Sequence, residues 1–575
     1  MVLGLFAAGC VFPTPPLGDP VPGLSIALSG SSPYSGMLTI SVAPFNYAPP
    51  SVAFKLDGTA LPDDTEAPFE LTLDTTAIND GTHMMSVRAN DSTYTVIEKV
   101  QFVTRNDPNV VVIVVDDIDA TATPFWDAMP QTQALLQAQG LEFTNAFATD
   151  PVCCPARATM LTGQYPHNTG VWDNSFPDGG FRAFVNSGSE TDTLATRLDA
   201  AGYETALVGK YFNEYIFDPT HVPPGWDEWF GLVHGYYDGY SYLANRNGVV
   251  ESYGSDPDDY QTDVVSAEAL AFLDAQEAND DRPFLLWVAP SAPHWAMPPA
   301  PRHAVNEFTD DPIPMRPNYD EADVSDKPAW LRDGIPPISP GLADFITNDH
   351  QDRMGSMLAV DEMIAAVFNR LTSTGELADT VVVLVSDNGY NLGSHRLAGK
   401  QAPYEESIRV PMLMTGTGIP MGAQSASFVT HADLAPTLLD LAGLPASDMD
   451  GTSLVPLFGG PPSSWRSDFL VEFKGTYGLY GGLFETLAHV QNAIQAGKPV
   501  LVPTFRAVRN EQYLYVEWYS TAPHEYELYD MVADPYQLDN LIATPEGASQ
   551  YASTTAALQA RLETLGTCSS AGCRA

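Results

Sequence analysis

Val110-Val111-Val112-Ile113-Val114-Val115-Asp116-Asp117 sets an unbroken apolar, β-branched run directly before two carboxylates. A run of this kind has no solvent-facing side, so it reads as a strand covered on both faces, as in parallel sheets. Ala206-Leu207-Val208, Phe284-Leu285-Leu286-Trp287-Val288 and Thr380-Val381-Val382-Val383-Leu384-Val385 repeat the pattern. Helical patterns lie between these runs, at residues 132–139, 193–201, 263–275 and 351–372. Strands alternating with helices predict an α/β body built on a doubly wound, mostly parallel sheet. Ligands of such sheets sit at the carboxyl ends of the strands, and Asp116-Asp117 and Asp387-Asn388 stand at two such ends.

Two carboxylates at the end of a buried strand are costly to desolvate unless a cation offsets them. Taken alone, Asp116-Asp117 also suits a turn or a helix cap. Together with Asp387 and Asn388 the pair makes an oxygen donor set with neither sulfur nor imidazole, which favours Ca²⁺, or Mg²⁺, over Zn²⁺.

Cys153-Cys154-Pro155-Ala156-Arg157, closed by Met160-Leu161-Thr162-Gly163, resembles the signature of the type I sulfatases, members of the alkaline-phosphatase-like superfamily. The resemblance implies that a maturation enzyme oxidises Cys153 to formylglycine, whose hydrated aldehyde is the nucleophile. It implies that Asp116, Asp117, Asp387 and Asn388 hold Ca²⁺, with an oxygen of residue 153 completing the site. A sulfate ester also needs its nonbridging oxygens stabilised and its leaving alcohol protonated. Arg157 would position the attacking hydroxyl. Lys210, in Gly209-Lys210-Tyr211-Phe212-Asn213-Glu214-Tyr215, matches the family's Gly-Lys element. Many sulfatases carry a histidine two or three residues after that lysine. Phe212 and Asn213 stand there instead, and the element resembles the N-acetylglucosamine-6-sulfatase branch. His294, in Ala292-Pro293-His294, matches the family's general acid, and Lys400 matches the lysine that contacts sulfate. His395, just before Lys400, is placed near substrate or metal-side oxygens. The resemblance runs from about residue 108 to 541 and includes His431-Ala-Asp-Leu-Ala-Pro-Thr and Asp534-Pro-Tyr-Gln-Leu-Asp-Asn.

At 575 residues the chain should hold more than one domain. Its formal net charge of −46 excludes nucleic acid as an expected partner. An anionic substrate then needs a locally basic pocket, and with only seven lysines in the chain Lys210 and Lys400 stand out. The five cysteines make neither a disulfide framework nor a zinc pattern, although Cys568 and Cys573 could form a local bridge. Leu5 to Gly9 before Cys10 resembles the end of a bacterial lipoprotein signal, which points to export and to a lipid anchor on Cys10. Residues 1–22 read as that signal and a proline-rich tether. Residues 23–106, with period-two stretches and Asp-Gly turns, read as a β-sandwich resembling bacterial Ig-like domains. Residues 107–465 read as the catalytic body, and 466–575 as a small antiparallel C-terminal subdomain ending in a helix.

These readings converge on an exported sulfatase acting on a sulfated carbohydrate, 6-sulfated N-acetylglucosamine or a related polysaccharide. Two alternatives are a phosphonate monoester or phosphodiester hydrolase of the same superfamily, and an inactive surface glycan-binding homologue.

Overall fold

The computed structural model describes residues 22–29, 37–75, 78, 81–104, 107–121, 124–277, 282–295, 297–475, 502–519 and 523–574. Cys10 and nearly all of the proline-rich stretch lie outside them. The chain divides into two compact units, Met1–Pro108 with Leu441–Gly443, and Asn109–Asp440 with Leu444–Ala575.

The first unit consists of two antiparallel sheets. One pairs Gly23–Leu28, Met37–Phe45 and Phe69–Asp74; the other pairs Thr59–Ala60, Val52–Leu56, Gly81–Asn90 and Thr95–Thr104. Alternate residues of both sheets, among them Leu38, Ile40 and Val42 from one and Phe54, Met85 and Val87 from the other, join in one apolar cluster. A strand projects successive side chains to opposite faces, so the period of two seen in the sequence is what lets these faces meet.

The second unit is organised by a ten-stranded sheet in the order Val249–Ser252, Leu243–Arg246, Glu228–His234, Glu204–Lys210, Phe284–Ala289, Asn109–Val115, Thr380–Ser386, Met412–Thr415, Leu141–Phe143, Ala423–Ser425. The five strands from Glu228–His234 to Thr380–Ser386 are parallel, as the apolar runs predict. One strand on each flank, Leu243–Arg246 and Met412–Thr415, runs against the rest, while Leu141–Phe143 and Ala423–Ser425 pair parallel again, so the sheet is mixed with most strands sharing one direction. Every residue of Asn109–Val115 is buried. On one face Val111, Ile113, Leu286 and Leu384 pack under the helices Gln261–Glu277 and Pro340–Thr374.

The long helix begins eleven residues before the periodicity at 351 suggests. Ser339 caps it by accepting Leu342 N–H, and Pro340 occupies the first turn, where a missing N–H costs nothing. The expected helix at 132–139 is present as a continuous helical segment shifted two residues earlier, α-helical at Pro130–Thr132 and π-helical at Gln133–Gln137.

Near the C-terminus, Asp468–Phe473, Phe505–Asn510, Tyr513–Trp518 and Glu525–Asp530 form an antiparallel sheet. One face (Phe469, Val471, Val516) packs on Phe147, Tyr404 and Ile408; the other (Leu470, Val508, Tyr515) is covered by Leu558, Leu562 and Leu565 of the helix Ala552–Leu565. Cys568 and Cys573 are disulfide-bonded. Among the described residues no helix is long and apolar enough to cross a membrane.

Candidate active site

Adjacent strands in parallel register end together, so their following residues meet at one edge. Asn109–Val115 delivers Asp116 and Asp117, Glu204–Lys210 delivers Lys210, Phe284–Ala289 leads to His294, and Thr380–Ser386 leads to Asp387 and Asn388. Gly209 sits at φ 122°, and a Cβ there would come 2.0 Å from the carbonyl oxygen of Ala289. Only glycine lets the two strands close up just before Lys210. Asp117 is held in the left-handed region at φ 64°, at a cost of about 1 kcal/mol or more. Asp387 Oδ1 accepts from Asp117 N at 3.2 Å and Ser386 Oγ from Ile118 N at 2.8 Å, which fixes the turn.

The helix Cys153–Thr162 presents Cys153 at its first turn and ends at Gly163, whose left-handed φ of 66° lets its N–H reach Thr159 O. All its residues are buried. Its N-terminal N–H groups and dipole therefore favour negative charge at this point.

Around Cys153 the side chains interlock. Lys400 Nζ lies 2.8 Å from Cys153 Sγ and 2.5 Å from Asp117 Oδ1. Lys210 Nζ donates to Asp116 Oδ2. Arg157 Nε donates to Asp387 Oδ2 and its Nη1 to the Lys210 carbonyl, each at 2.9 Å, while Nη2 is 3.6 Å from Asp116 Oδ2. Asn388 Nδ2 donates to Asp117 Oδ1 at 2.6 Å. His294 Nε2 stands 3.6 Å from Asp117 Oδ2, and its Nδ1 is 3.1 Å from the Trp295 carbonyl, which can only accept.

Three carboxylates and three cations are thus sealed from water together. Buried charge is tolerable when paired, and net charge here balances, but individual atoms do not. Among the described residues, Asp117 Oδ2, Asn388 Oδ1 and Arg157 Nη2 have no hydrogen-bond partner. Orphaned buried oxygens on neighbouring side chains are the groups a hard cation satisfies. Donor atoms of Asp116, Asp117, Cys153 and His294 all lie within 4.8 Å of one another. The residues therefore fit a divalent cation, with His294 rather than Asp387 in the tightest group.

Burial pushes the Cys153 thiol up to about 12; Lys210 and Lys400 offset only part of this. A thiol so held is a poor nucleophile at neutral pH. Burial alone would lower Lys210, but Asp116 together with its other anionic neighbours outweighs it and the net shift is upward, so the ammonium stays charged. Arg157 is raised in the same way, Asp387 and Asp116 outweighing burial.

His395 stands apart from this group. Its Nδ1 is 2.6 Å from Glu321 Oε2, its Nε2 is 3.2 Å from Asn318 Nδ2, and its ring packs on Tyr404 at 4.1 Å. Asn213-Glu214-Tyr215 also divides in two. Glu214 pairs with Arg182 at 3.0 Å, and the Tyr215 hydroxyl serves the His221 carbonyl, Trp229 and Asn245. Asn213 faces the site, its N–H donating to Cys154 Sγ at 3.2 Å. Phe212 is fully buried against Phe184 at 4.6 Å.

Three side chains at the site were not singled out in the sequence. Arg353 donates to the carbonyls of Pro293, at 2.9 Å, and Asp117, tying the His294 loop to the Asp117 turn. Asp349, one turn earlier, is pushed by burial up to about 6 despite Arg353. Its spacing of four from Arg353 was the available signal, but the periodicity placed the helix start after it. The third is Tyr237, whose ring stacks on His294.

A buried carboxylate cluster at the ends of parallel strands, facing an arginine-bearing helix whose first residue is cysteine, defines a hydrolase-type anion site. Residues 108–444 match the Sulfatase family, and the chain belongs to it. The N-acetylglucosamine-6-sulfatase of Homo sapiens is 32% identical over 495 residues, covering 81% of this chain and 86% of the human protein. The extracellular sulfatase SULF-1 homolog of Drosophila melanogaster is 36% identical over 393 residues, which is 67% of this chain and 34% of the fly protein, so the chain spans about a third of that relative's length. In fold the chain is similar to a solved protein in complex with its substrate D-glucosamine-2-N,6-O-disulfate, with a TM-score of 0.63 and 24% identity over 80% of this chain and 97% of that one.

Proposed function

We propose that the protein is an exported sulfatase hydrolysing sulfate esters of a sulfated carbohydrate, with 6-sulfated N-acetylglucosamine or a related polysaccharide as substrate. The observation that carries this reading is the sealed, charge-balanced cluster around Cys153 with its unmet oxygens. Residue 153 is read as the site of formylglycine, made from the cysteine by a maturation enzyme, and its hydrate supplies a hydroxyl nucleophile where a buried thiol could not. Asp116, Asp117, Asp387 and Asn388 would hold Ca²⁺, or Mg²⁺, which when bound supplies positive charge for the nucleophile and the sulfate oxygens.

Lys210 and Lys400, the two ammonium groups of the cluster, would supply positive charge to the anionic ester. Arg157 keeps its fork on Asp387 and the Lys210 carbonyl, which orients both. His294 keeps its Nδ1 proton on the Trp295 carbonyl, so Nε2 is the atom that passes a proton to the leaving oxygen. The human 6-sulfatase, similar over most of both chains, supports the choice of sugar. We assign the N-terminal two-sheet unit as an Ig-like spacer and Cys10 as a lipidated anchor residue.

The test is sulfate release from N-acetylglucosamine-6-sulfate by protein shown by mass spectrometry to carry formylglycine at 153. Release is expected. Cleavage of phosphonate monoesters or phosphodiesters in its place would reassign the reaction, and binding of sulfated glycan with no turnover would make the protein a glycan-binding homologue.

A further inference from the structure

We propose that Tyr237 is a positioning residue of this site, its ring holding Lys210 and His294 in fixed relation; the inference rests on the sulfatase reading above. The ring stacks on the His294 imidazole with centroids 4.1 Å apart and planes 28° from parallel. Lys210 Nζ lies 5.1 Å from the same ring's centre. The Tyr237 hydroxyl donates to Asn213 Oδ1 at 3.3 Å. One side chain therefore touches residues delivered by two neighbouring strands and by the segment where many sulfatases carry a further histidine.

The ring is held firmly. It belongs to the turn Tyr236–Asp238, which follows the strand Glu228–His234. Glycines bracket the turn, Gly235 at φ 75° and Gly239 at φ 74°, and a Cβ on Gly239 would come 2.9 Å from Met297 Sδ and 3.3 Å from Pro298. The turn is thus seated against the chain just past His294. Tyr236 is buried beside it, 4.6 Å ring to ring. A phenol face carries negative charge density, so it favours both an ammonium above it and an imidazole that takes on a proton. Stacking also fixes the imidazole plane, and with it the direction of Nε2. The consequence should fall on the step that needs His294, protonation of the leaving oxygen.

That step separates two kinds of ester. A sugar sulfate leaves as a strongly basic alkoxide and needs the proton; an activated aryl sulfate, such as 4-nitrophenyl sulfate, does not. In the full, formylglycine-bearing, cation-loaded chain, Tyr237→Ala should lower kcat for N-acetylglucosamine-6-sulfate by about a hundredfold. For the aryl ester the loss should stay within about fivefold, the worth of the lost cation–ring contact. Tyr237→Phe should stay within about fivefold for both. In a Cys153→Ala background, calorimetry should find sugar affinity changed by less than about fivefold on adding Tyr237→Ala. Equal losses on the two esters would reduce Tyr237 to a structural residue, and a large loss of sugar affinity would make it a substrate contact; either overturns the inference. Tyr237→Leu, which fills the space without an aromatic face, takes the place of the alanine variant if that one does not fold. Wild-type protein that releases sulfate from neither ester would instead sink the sulfatase reading. A crystal structure of the Tyr237 variant decides the positioning independently of turnover. Rotation of the His294 ring or displacement of Lys210 is expected, and both unmoved would refute it.

Discussion

His294 and His395 both lie in loops beyond the carboxyl ends of buried strands, and both are buried. Their partners make them different instruments. His395 has a carboxylate on one nitrogen and an amide on the other, Glu321 and Asn318, so its ring is locked into a polar network with Glu406 and Arg316. His294 gives Nδ1 to a backbone carbonyl and turns Nε2 toward Asp117, inside the donor group around Cys153. Proton transfer needs a ring with one nitrogen committed and the other directed at the reacting centre. The sequence resemblance gives the acid role to His294 and places His395, five residues before Lys400, near substrate or metal-side oxygens; the spatial arrangement keeps His294 at the cluster and sets His395 in a separate network.

The largest test goes to the root of that contrast. Cys153→Ala should abolish sulfate release while leaving the melting temperature near that of the wild type; normal turnover would mean that neither histidine faces the nucleophile. Next, Asp387→Ala removes a proposed cation ligand and the partner of Arg157 Nε together. Activity should fall by more than about a hundredfold, as expected for several kcal/mol of lost charge stabilisation. Full activity of that variant in the presence of chelator would remove the cation from the reading.

The direct comparison is His294→Ala against His395→Ala. The first should lower kcat on a sugar sulfate by about a hundredfold or more with little change in stability. The second should appear mainly in a denaturation curve, at about 1–3 kcal/mol, because it leaves Glu321 short of a buried partner. The opposite pattern would exchange the two roles.

The smallest effect sharpens the view of a locked imidazole. Burial alone would depress His167, but its 2.6 Å contact with Glu472 overrides this and the net shift is upward. A raised folded-state value contributes stability that is fully present below the ordinary histidine value of about 6.5 and is lost as pH rises through the folded one. The melting-temperature penalty of His167→Ala should therefore be larger in acid than above neutrality. An equal penalty at both would show that the histidine is held neutral.

Much of this was legible in the chain because it is local. Apolar runs without polar interruption name buried strands, and the expected helix at 193–201 matches Leu194–Ala200 with Thr193 and Ala201 as its caps. The reversed strand on each flank was not legible. Strands such as Met412–Thr415 and Leu141–Phe143 are too short to carry a period, and direction is set by pairing rather than by composition. Asp349 fell outside the expected helix because a helix buried near a polar site loses the amphipathic signal that marks its start.

By itself the sequence determined the chemical inventory: the cysteine–arginine signature, the paired carboxylates, the scarce lysines and the strands that carry them. Those are properties of short segments and survive without a fold. Only the tertiary structure decided which of these groups share a volume. Asp117 and Asn388 hydrogen-bond across 271 positions of chain, and Lys400 reaches Cys153 across 247. Such meetings depend on strand order and register. Those also left Asp117 Oδ2 and Asn388 Oδ1 without hydrogen-bond partners among the described residues, turned His395 away, and set the Tyr237 ring on His294.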